Sequence, residues 1–399
     1  LPHREDVSDL EDRWPGQTWV GRGGLVDPAA WTPPDAVASE IAYIIFTSGS
    51  TGLPKGVVVE QRNVTAFIDA CHRDAGFDAT DRFSQVFELS FDGAAWDIWN
   101  ALEIGATICV PSDFDLLKPH EYINRERLTN WCFVPSMAGI MQRIGLLEPG
   151  SLPTLRITTF AGEALSRSIV DAWSRAAPNS VLENFYGPTE VTIGCIRHCI
   201  PDPSESDAGE NVPIGHPLPG VATLVLDERL QEVEPGEIGE LWLSGPQVVR
   251  EYLDDPERTR ASFRRPPGRE EIHYRTGDLV LRPIGDAPIV FMGRVDQQVQ
   301  IRGHRVELQE VENALNGHPL VIRSAVVAWP EVAPGSYDGM VAFLEPPTRE
   351  QDLSDIKSHL AEHLPDYMCP QEIVLVERFP ENVNGKIDRN ALAAMLPLD

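Results

Sequence analysis

Residues 41–56 read Ile41-Ala-Tyr-Ile-Ile-Phe-Thr-Ser-Gly-Ser-Thr-Gly-Leu-Pro-Lys-Gly56. Six apolar or aromatic residues run straight into a loop of hydroxyls, three glycines and one lysine. The first half fits a short buried strand, because no polar residue alternates within it. The second half, Thr47 to Gly56, can wrap phosphate oxygens: glycine lets backbone amides converge on an anion, the hydroxyls add donors, and Lys55 adds a positive charge. It is not a Walker loop, since Pro54 precedes Lys55 and Gly56 follows it where Ser or Thr is needed. A flexible Gly/Ser linker is the plain alternative.

Further along, Leu155–Phe160 and Ser180–Phe185 are also apolar runs leading into glycine, and between them Leu165, Ile169 and Trp173 recur at helical spacing. Strand, helix, strand predicts an α/β layer. From Gly236 the texture changes to alternating strands such as Glu240–Ser244, which suggests a β-rich subdomain. After Asp296 come a helix carrying Leu308, Val311 and Leu315 and closed by Gly317, strands at Ser324–Trp329 and Ile373–Val376, and a helix near Ser354–Leu364. The expected organisation is a large core over 1–295, with 1–40 as a connecting segment, and a small α+β domain over 296–399.

Composition bounds the function. Thirty-three Lys plus Arg against sixty-one Asp plus Glu give 33 − 61 = −28, which argues against non-specific binding to nucleic acid or anionic membrane. No run of about 18 apolar residues is present to span a bilayer. The six cysteines form no C-x-x-C pair, so neither a zinc site nor a disulfide framework is signalled and a reducing, cytoplasmic setting is expected.

With these motifs in hand, the chain resembles the adenylate-forming superfamily, and within it the adenylation domains of non-ribosomal peptide synthetases. Besides the Thr47–Gly56 loop, the resemblance rests on Asn184-Phe-Tyr-Gly-Pro-Thr-Glu190, Gly239–Gly245, Tyr274-Arg-Thr-Gly-Asp278, Gly293-Arg-Val-Asp296, Ile301-Arg-Gly-His-Arg-Val-Glu-Leu308, Leu364-Pro-Asp-Tyr-Met368 and Asn384-Gly-Lys-Ile-Asp-Arg389, in the family's order. It implies activation of an amino acid by ATP and Mg2+ as aminoacyl-AMP with release of pyrophosphate, followed by transfer to the phosphopantetheine thiol of a carrier domain. Condensation domains would be neighbours, and the small C-terminal domain would be a mobile lid hinged at Asp296.

The resemblance also assigns residues. Thr47, Ser48, Gly49, Ser50, Thr51, Gly52 and Lys55 would clamp the phosphates; Glu190 would contact Mg2+, with the Thr189 hydroxyl directed at phosphate. Gly162, Asn184 and Tyr186 would hold adenine, Asp278 the ribose hydroxyls, and Arg294 the ribose or phosphate region. Lys386 would enter the site and neutralise the reacting carboxylate and phosphate. Asp92, in Phe91-Asp-Gly-Ala-Ala-Trp96, would pair with a substrate α-ammonium, since a buried acid is costly alone; its plain alternative is a helix N-cap. The pocket wall would comprise Gly93, Trp96, Cys132, Thr159, Ala161, Phe185, Ile193 and Gly194. Gly93, Ala161 and Gly194 make room while Trp96 and Phe185 take it away, so a neutral, aromatic or medium aliphatic side chain is expected.

Two departures from the family pattern stand out. Gln300 replaces a frequent Lys, leaving one cation fewer on the small domain, and the segment ahead of the Thr47 loop is short, so an incomplete N-terminal portion with exposed sheet edges is expected. An acyl- or aryl-CoA ligase, or a non-catalytic nucleotide-binding or scaffold fragment, are the competing readings; Asp92 argues against the first and the full set of motifs against the second.

Overall fold

A computed structural model describes residues 37–48, 54–201, 212–296, 298–333, 335–345, 349, 352–380 and 387–397, apart from the side chains of 73 and 74. The Gly49, Ser50, Thr51, Gly52 and Lys386 assignments, and most of the 1–40 connecting segment, lie outside the described residues. The following concerns the unit that begins at Ile41.

Its central layer is a seven-stranded sheet in the order Thr107–Cys109, Arg82–Ser84, Asn130–Phe133, Ile157–Ala161, Val181–Tyr186, Ile196–Ile200 and His216–Pro217. The first five strands are parallel, Ile196–Ile200 runs antiparallel to them, and His216–Pro217 runs antiparallel to Ile196–Ile200. A parallel pair needs a crossover, and the helices Asp92–Glu103, Pro135–Arg143 and Arg167–Ala176 supply three of them. The last helix starts after Ser166, so Leu165 packs from the preceding turn instead of from the helix.

Strand alternation sorts this sheet's residues onto two faces. Trp131, Phe133, Phe160 and Leu182 pack with Trp173 in one core, whereas Cys132, Ala161 and Phe185 point the other way into a cluster with Trp96 and Phe67. Register aligns Cys132 with Thr159, and Ala161 with Phe185. Helices pack on both faces, and on the second, between Trp96 of the helix Asp92–Glu103 and the strands, a cavity opens at the carboxyl ends of the strands, where open parallel sheets place ligands.

Two further sheets complete the large part. Ile41–Thr47 and Lys55–Glu60 pair antiparallel, with Glu251–Tyr252 on the far side. Ile41–Thr47 is an edge strand, and Ile41 and Phe46 are exposed on it. Ala222–Leu226, Ile238–Ser244, His273–Leu281, Phe263–Arg264 and Val290–Arg294 make the expected β-rich sheet. Beyond residue 296 a hairpin, Gln298–Ile301 with His304–Glu307, precedes the helix Leu308–Asn316 and a sheet of Ser324–Ala328, Met340–Leu344 and Glu372–Leu375. That sheet also has two apolar faces. Val326, Ala328, Met340 and Ala342 pack against Ile301, Val306 and Leu315, while Ala325, Val327, Val341 and Phe343 pack against Phe379, Ile387 and Leu392.

Candidate active site

Three loops converge where the parallel strands end. A cleft of about 240 Å³ is lined by Thr47, Ser48, Gly162, Asn184, Tyr186, Thr189, Asp278, Arg294 and Gln300, and by Gly303 and Arg305 of the small domain's hairpin turn. A second cavity of about 230 Å³ adjoins it and is lined by Asp92, Gly93, Trp96, Cys132, Thr159, Ala161, Phe185 and Ile193. Phe91, Asp92, Gly162, Phe185, Gly187 and Gly303 border both. The structure therefore brings the expected nucleotide-side and substrate-side residues to one junction, with Asp92 at the seam.

On the nucleotide side, Asp278 accepts hydrogen bonds from the Tyr186 hydroxyl and from Arg294 Nη1. Burial raises its pKa, with Arg294 and Tyr186 opposing that shift. Gly277 takes φ +76°, and a Cβ there would lie 2.6 Å from Arg294 Nη2, so only glycine lets the guanidinium reach the carboxylate. Asn184 donates to Pro213 O at 2.9 Å and thereby holds that segment as a cleft wall. Arg294 also bonds Asp296, through Nε to Oδ1 at 2.7 Å. Thr47 Oγ1 is enclosed without a partner, an arrangement that suits a phosphate oxygen.

Lys55 and Glu190 meet at 2.7 Å. Glu190 is fully buried, and Tyr252 donates to the same oxygen, Oε1, at 2.8 Å. Its other oxygen, Oε2, accepts from Arg305 Nη1 at 3.0 Å. Burial alone would raise the Glu190 pKa, but Arg305 and Lys55 outweigh it and hold the carboxyl well below the usual range. Arg305 belongs to the quoted Ile301–Leu308 motif, yet sequence reasoning gave it no role. The signal was a cation in a strand between Gly303 and buried Val306, which must find an interior partner. Tyr252 was missed as well, and no local pattern marks it.

The hairpin turn is pinned at the cleft by several contacts. Ser48 Oγ donates to Arg305 O at 2.8 Å, and the Ala164 amide donates to Ser336 Oγ at 3.1 Å. His304 stacks on Tyr367 with ring centroids 4.0 Å apart, and Phe91 meets His304 edge-on at 4.7 Å. Gly303 at φ +84° passes so near Val134 that a side chain would not fit. Gln300 lines the cleft beside Arg305 with its Oε1 enclosed and unpartnered.

On the substrate side, Asp92 is the first residue of its helix and Phe91 is the cap, so the plain N-cap alternative does not describe it. Asp92 Oδ2 is enclosed without a partner. Burial pushes its pKa up to about 6, against a hydrogen bond from Thr189 and with the Glu190 charge adding to the rise. The expectation that Gly93 and Gly194 open space is corrected by the structure: a Cβ on Gly93 would lie 2.7 Å from Phe87 Cγ, and one on Gly194 would overlap the Phe185 ring. Rings already occupy both vacancies, and Gly194 does not itself line the cavity.

A metal fits only in one mode. Among the described residues no group of three His, Cys, Asp or Glu side chains could hold an ion. Mg2+ bound through one carboxylate, waters and substrate phosphates needs only Glu190, and Glu190 can serve once Arg305 releases Oε2.

Comparison with known proteins agrees with this geometry. Residues 4–253 match the family model "AMP-binding enzyme" and residues 310–386 the model "AMP-binding enzyme C-terminal domain". One of the linear gramicidin synthase proteins of Brevibacillus parabrevis is 40% identical over 361 residues, covering 89% of this chain and 4% of that protein. Delta-poly-L-ornithine synthetase of Acinetobacter baumannii is 35% identical over 92% of this chain and 26% of its own length. The chain thus spans a small part of these curated relatives. Among solved structures, the Vibrio cholerae adenylation domain AlmE, in complex with glycyl-adenosine-5'-phosphate, superposes with TM-score 0.83 at 31% identity, covering 98% of this chain and 73% of that one. Holo-PA1221, a protein containing adenylation and carrier (PCP) domains, gives TM-score 0.77 at 31% identity over 93% of this chain and 64% of its own. With matching motifs, fold and cleft, the chain belongs to the AMP-binding enzymes, and within them to the adenylation domains that pair a large N-terminal domain with a small C-terminal one.

Proposed function

We infer that the chain activates an amino acid as aminoacyl-AMP with release of pyrophosphate, and passes it to a phosphopantetheine thiol on a carrier domain of a non-ribosomal peptide synthetase in the cytoplasm. The observation that carries the amino-acid reading is Asp92 Oδ2, enclosed and unpartnered at the seam between the nucleotide cleft and a cavity whose wall of Trp96, Cys132, Ala161 and Phe185 carries no charge. An α-ammonium supplies the missing partner and returns the carboxyl to its ionised form. A carboxylic acid lacking that ammonium would leave Asp92 orphaned, which disfavours a CoA ligase acting on simple acyl or aryl acids.

In this reading, Tyr186 and Asn184 flank the purine and Asp278 receives the ribose hydroxyls in place of the Tyr186 phenol. Thr47 Oγ1 and Lys55 meet the phosphates; Mg2+ on Glu190 would offset phosphate charge as pyrophosphate departs. Lys386 neutralises the reacting carboxylate and phosphate. The small domain, taken as 296–399 and hinged at Asp296, changes pose between the two half-reactions, and condensation domains are its neighbours in the assembly. Among the described residues no helix is long and apolar enough to cross a membrane.

The test is amino-acid-dependent ATP–pyrophosphate exchange over a panel of amino acids with matched des-amino acids. Exchange confined to amino acids is expected; equal exchange with des-amino partners would remove the ammonium contact and with it the amino-acid reading. Lys386→Ala should suppress exchange far more than nucleotide binding, and near-normal exchange in that variant would sink the role given to Lys386.

A further inference from the structure

Two glycines at the substrate side, Gly93 in the cavity wall and Gly194 behind Phe185, look like invitations to a large side chain, yet each faces an aromatic ring of the protein. Phe185 lies across Gly194 and is held by Trp96, whose ring meets it at 4.8 Å and 65°. Phe87 lies across Gly93 with three ring carbons within 2.9 Å of where a Cβ would stand. Gln85 Nε2 donates to Phe87 O at 2.5 Å and fixes the backbone that presents this ring.

The two rings differ in how deeply they are built into the fold. Trp96 and Phe185 are 5% and 4% exposed and sit at the centre of a core cluster, whereas Phe87 is only partly buried and packs on that cluster's edge. Phe87 also follows the strand Arg82–Ser84 on a connecting segment, outside any regular element. Truncating it opens the cavity without removing a buried anchor of the sheet.

We propose that Phe87 is a specificity-determining residue: its ring closes the side-chain cavity above Gly93 and restricts the substrate to an uncharged α-amino acid of medium size. This rests on the amino-acid adenylation reading and names the substrate class of that same site. Asp92 anchors the head group, so the side chain extends toward the wall formed by Trp96, Cys132, Ala161 and Phe185. None of those four residues is charged, and burial pushes the Cys132 thiol well up, so it stays neutral. Besides Asp92, whose charge the α-ammonium takes up, the charged residues lining this cavity are Glu88 and Arg302, both exposed, so a charged side chain directed at that wall would be desolvated without a buried counter-charge.

The geometry makes Phe87 and Gly93 a coupled pair. Adding a methyl at position 93 must displace the Phe87 ring, and removing the ring must vacate the space that methyl would take. Exchange kinetics on a graded panel of uncharged amino acids, for the wild type, Phe87→Ala, Gly93→Ala and the double variant, read this directly. Phe87→Ala is expected to raise kcat/KM for a bulky aromatic amino acid, relative to the best wild-type substrate, on the order of tenfold or more, since even one methylene shifts such ratios by roughly 10–200-fold. The ATP KM should stay unchanged. Gly93→Ala is expected to shrink the largest accepted side chain, and the double variant to return toward the wild-type ranking. Calorimetric binding of a non-hydrolysable aminoacyl-adenylate analogue bearing the bulky or the preferred side chain should follow the same order.

An unchanged substrate ranking in Phe87→Ala, with amino-acid dependence intact, overturns the proposal alone. Strictly additive effects of the two substitutions overturn the coupling on which it stands. Wild-type exchange that ignores the amino group overturns the adenylation reading beneath it.

Discussion

Asp92 lines the cleft and Glu190 is buried beside it, close enough for the Glu190 charge to act on Asp92, and their surroundings push the two acids in opposite directions. Glu190 has Lys55, Tyr252 and Arg305 on its two oxygens and titrates well below the ordinary carboxylate range. Asp92 has the Thr189 hydroxyl and an oxygen facing nothing, and titrates at about 6. The difference separates a carboxylate the fold satisfies by itself from one whose partner must arrive from outside. The first stabilises the native state; the second costs stability until the ligand binds.

The contrast can be broken most severely at Glu190. Glu190→Gln leaves Lys55 and Arg305 buried without their counter-charge and should cost roughly 3–5 kcal/mol in urea unfolding. A loss below about 1 kcal/mol would show that the two cations find other partners. Arg305→Gln comes next: it removes one ionic bond between the small domain and Glu190, about 1.5–3 kcal/mol for a hydrogen bond to a charged group. The small domain should then dock less, giving a larger radius of gyration in scattering and faster tryptic cleavage near residue 296; an unchanged profile would deny the contact its docking role.

At Asp92 the sign reverses. A carboxyl that ionises near 6 when folded and near 3.8 when unfolded makes the native state lose stability as pH rises from about 4 to 6. Asp92→Asn should therefore stabilise the ligand-free protein at pH 7 by about 1–2 kcal/mol, allowing for the residue's partial exposure, with the gain fading below about pH 4. The same variant should weaken amino-acid-dependent exchange while sparing nucleotide binding. In the wild type, the amino-acid KM should climb as pH falls below about 6, because protonated Asp92 no longer attracts an ammonium; a flat profile between about pH 5 and 7 would contradict the assignment. The mildest change is Thr189→Val, which removes one hydrogen bond to ionised Asp92, about 1.5 kcal/mol, and should move that limb to higher pH.

Much of the fold was legible because it is written in local periodicity. The apolar run at Ile41 is a strand from Ile41 to Thr47, the helix closed by Gly317 spans Leu308–Asn316, and the helix near Ser354 spans Leu353–His363. Among the described residues, most of those expected at nucleotide and substrate line the two adjoining cavities, because motif order tracks strand order, whereas Lys55, Glu190 and Gly194 do not. What could not be read is who satisfies whom. Arg305 and Glu190 are 115 residues apart in sequence, and no local pattern at either position names the other. Gly93 and Gly194 misled for a related reason: a glycine announces a missing side chain but not which neighbour fills the gap, and here Phe87 and Phe185 do.

The two-faced parallel sheet has a consequence for how this protein can change over generations. Residues of one parity along its strands, Trp131, Phe160 and Leu182, pack the core of the opposite face, while those of the other parity, Cys132, Thr159 and Ala161, look into the cavity. Neighbouring codons thus answer to separate selections. A lineage can drift through new substrates by altering every second position and leave the scaffold untouched, whereas a one-residue insertion within a strand would exchange the two faces and lose both at once.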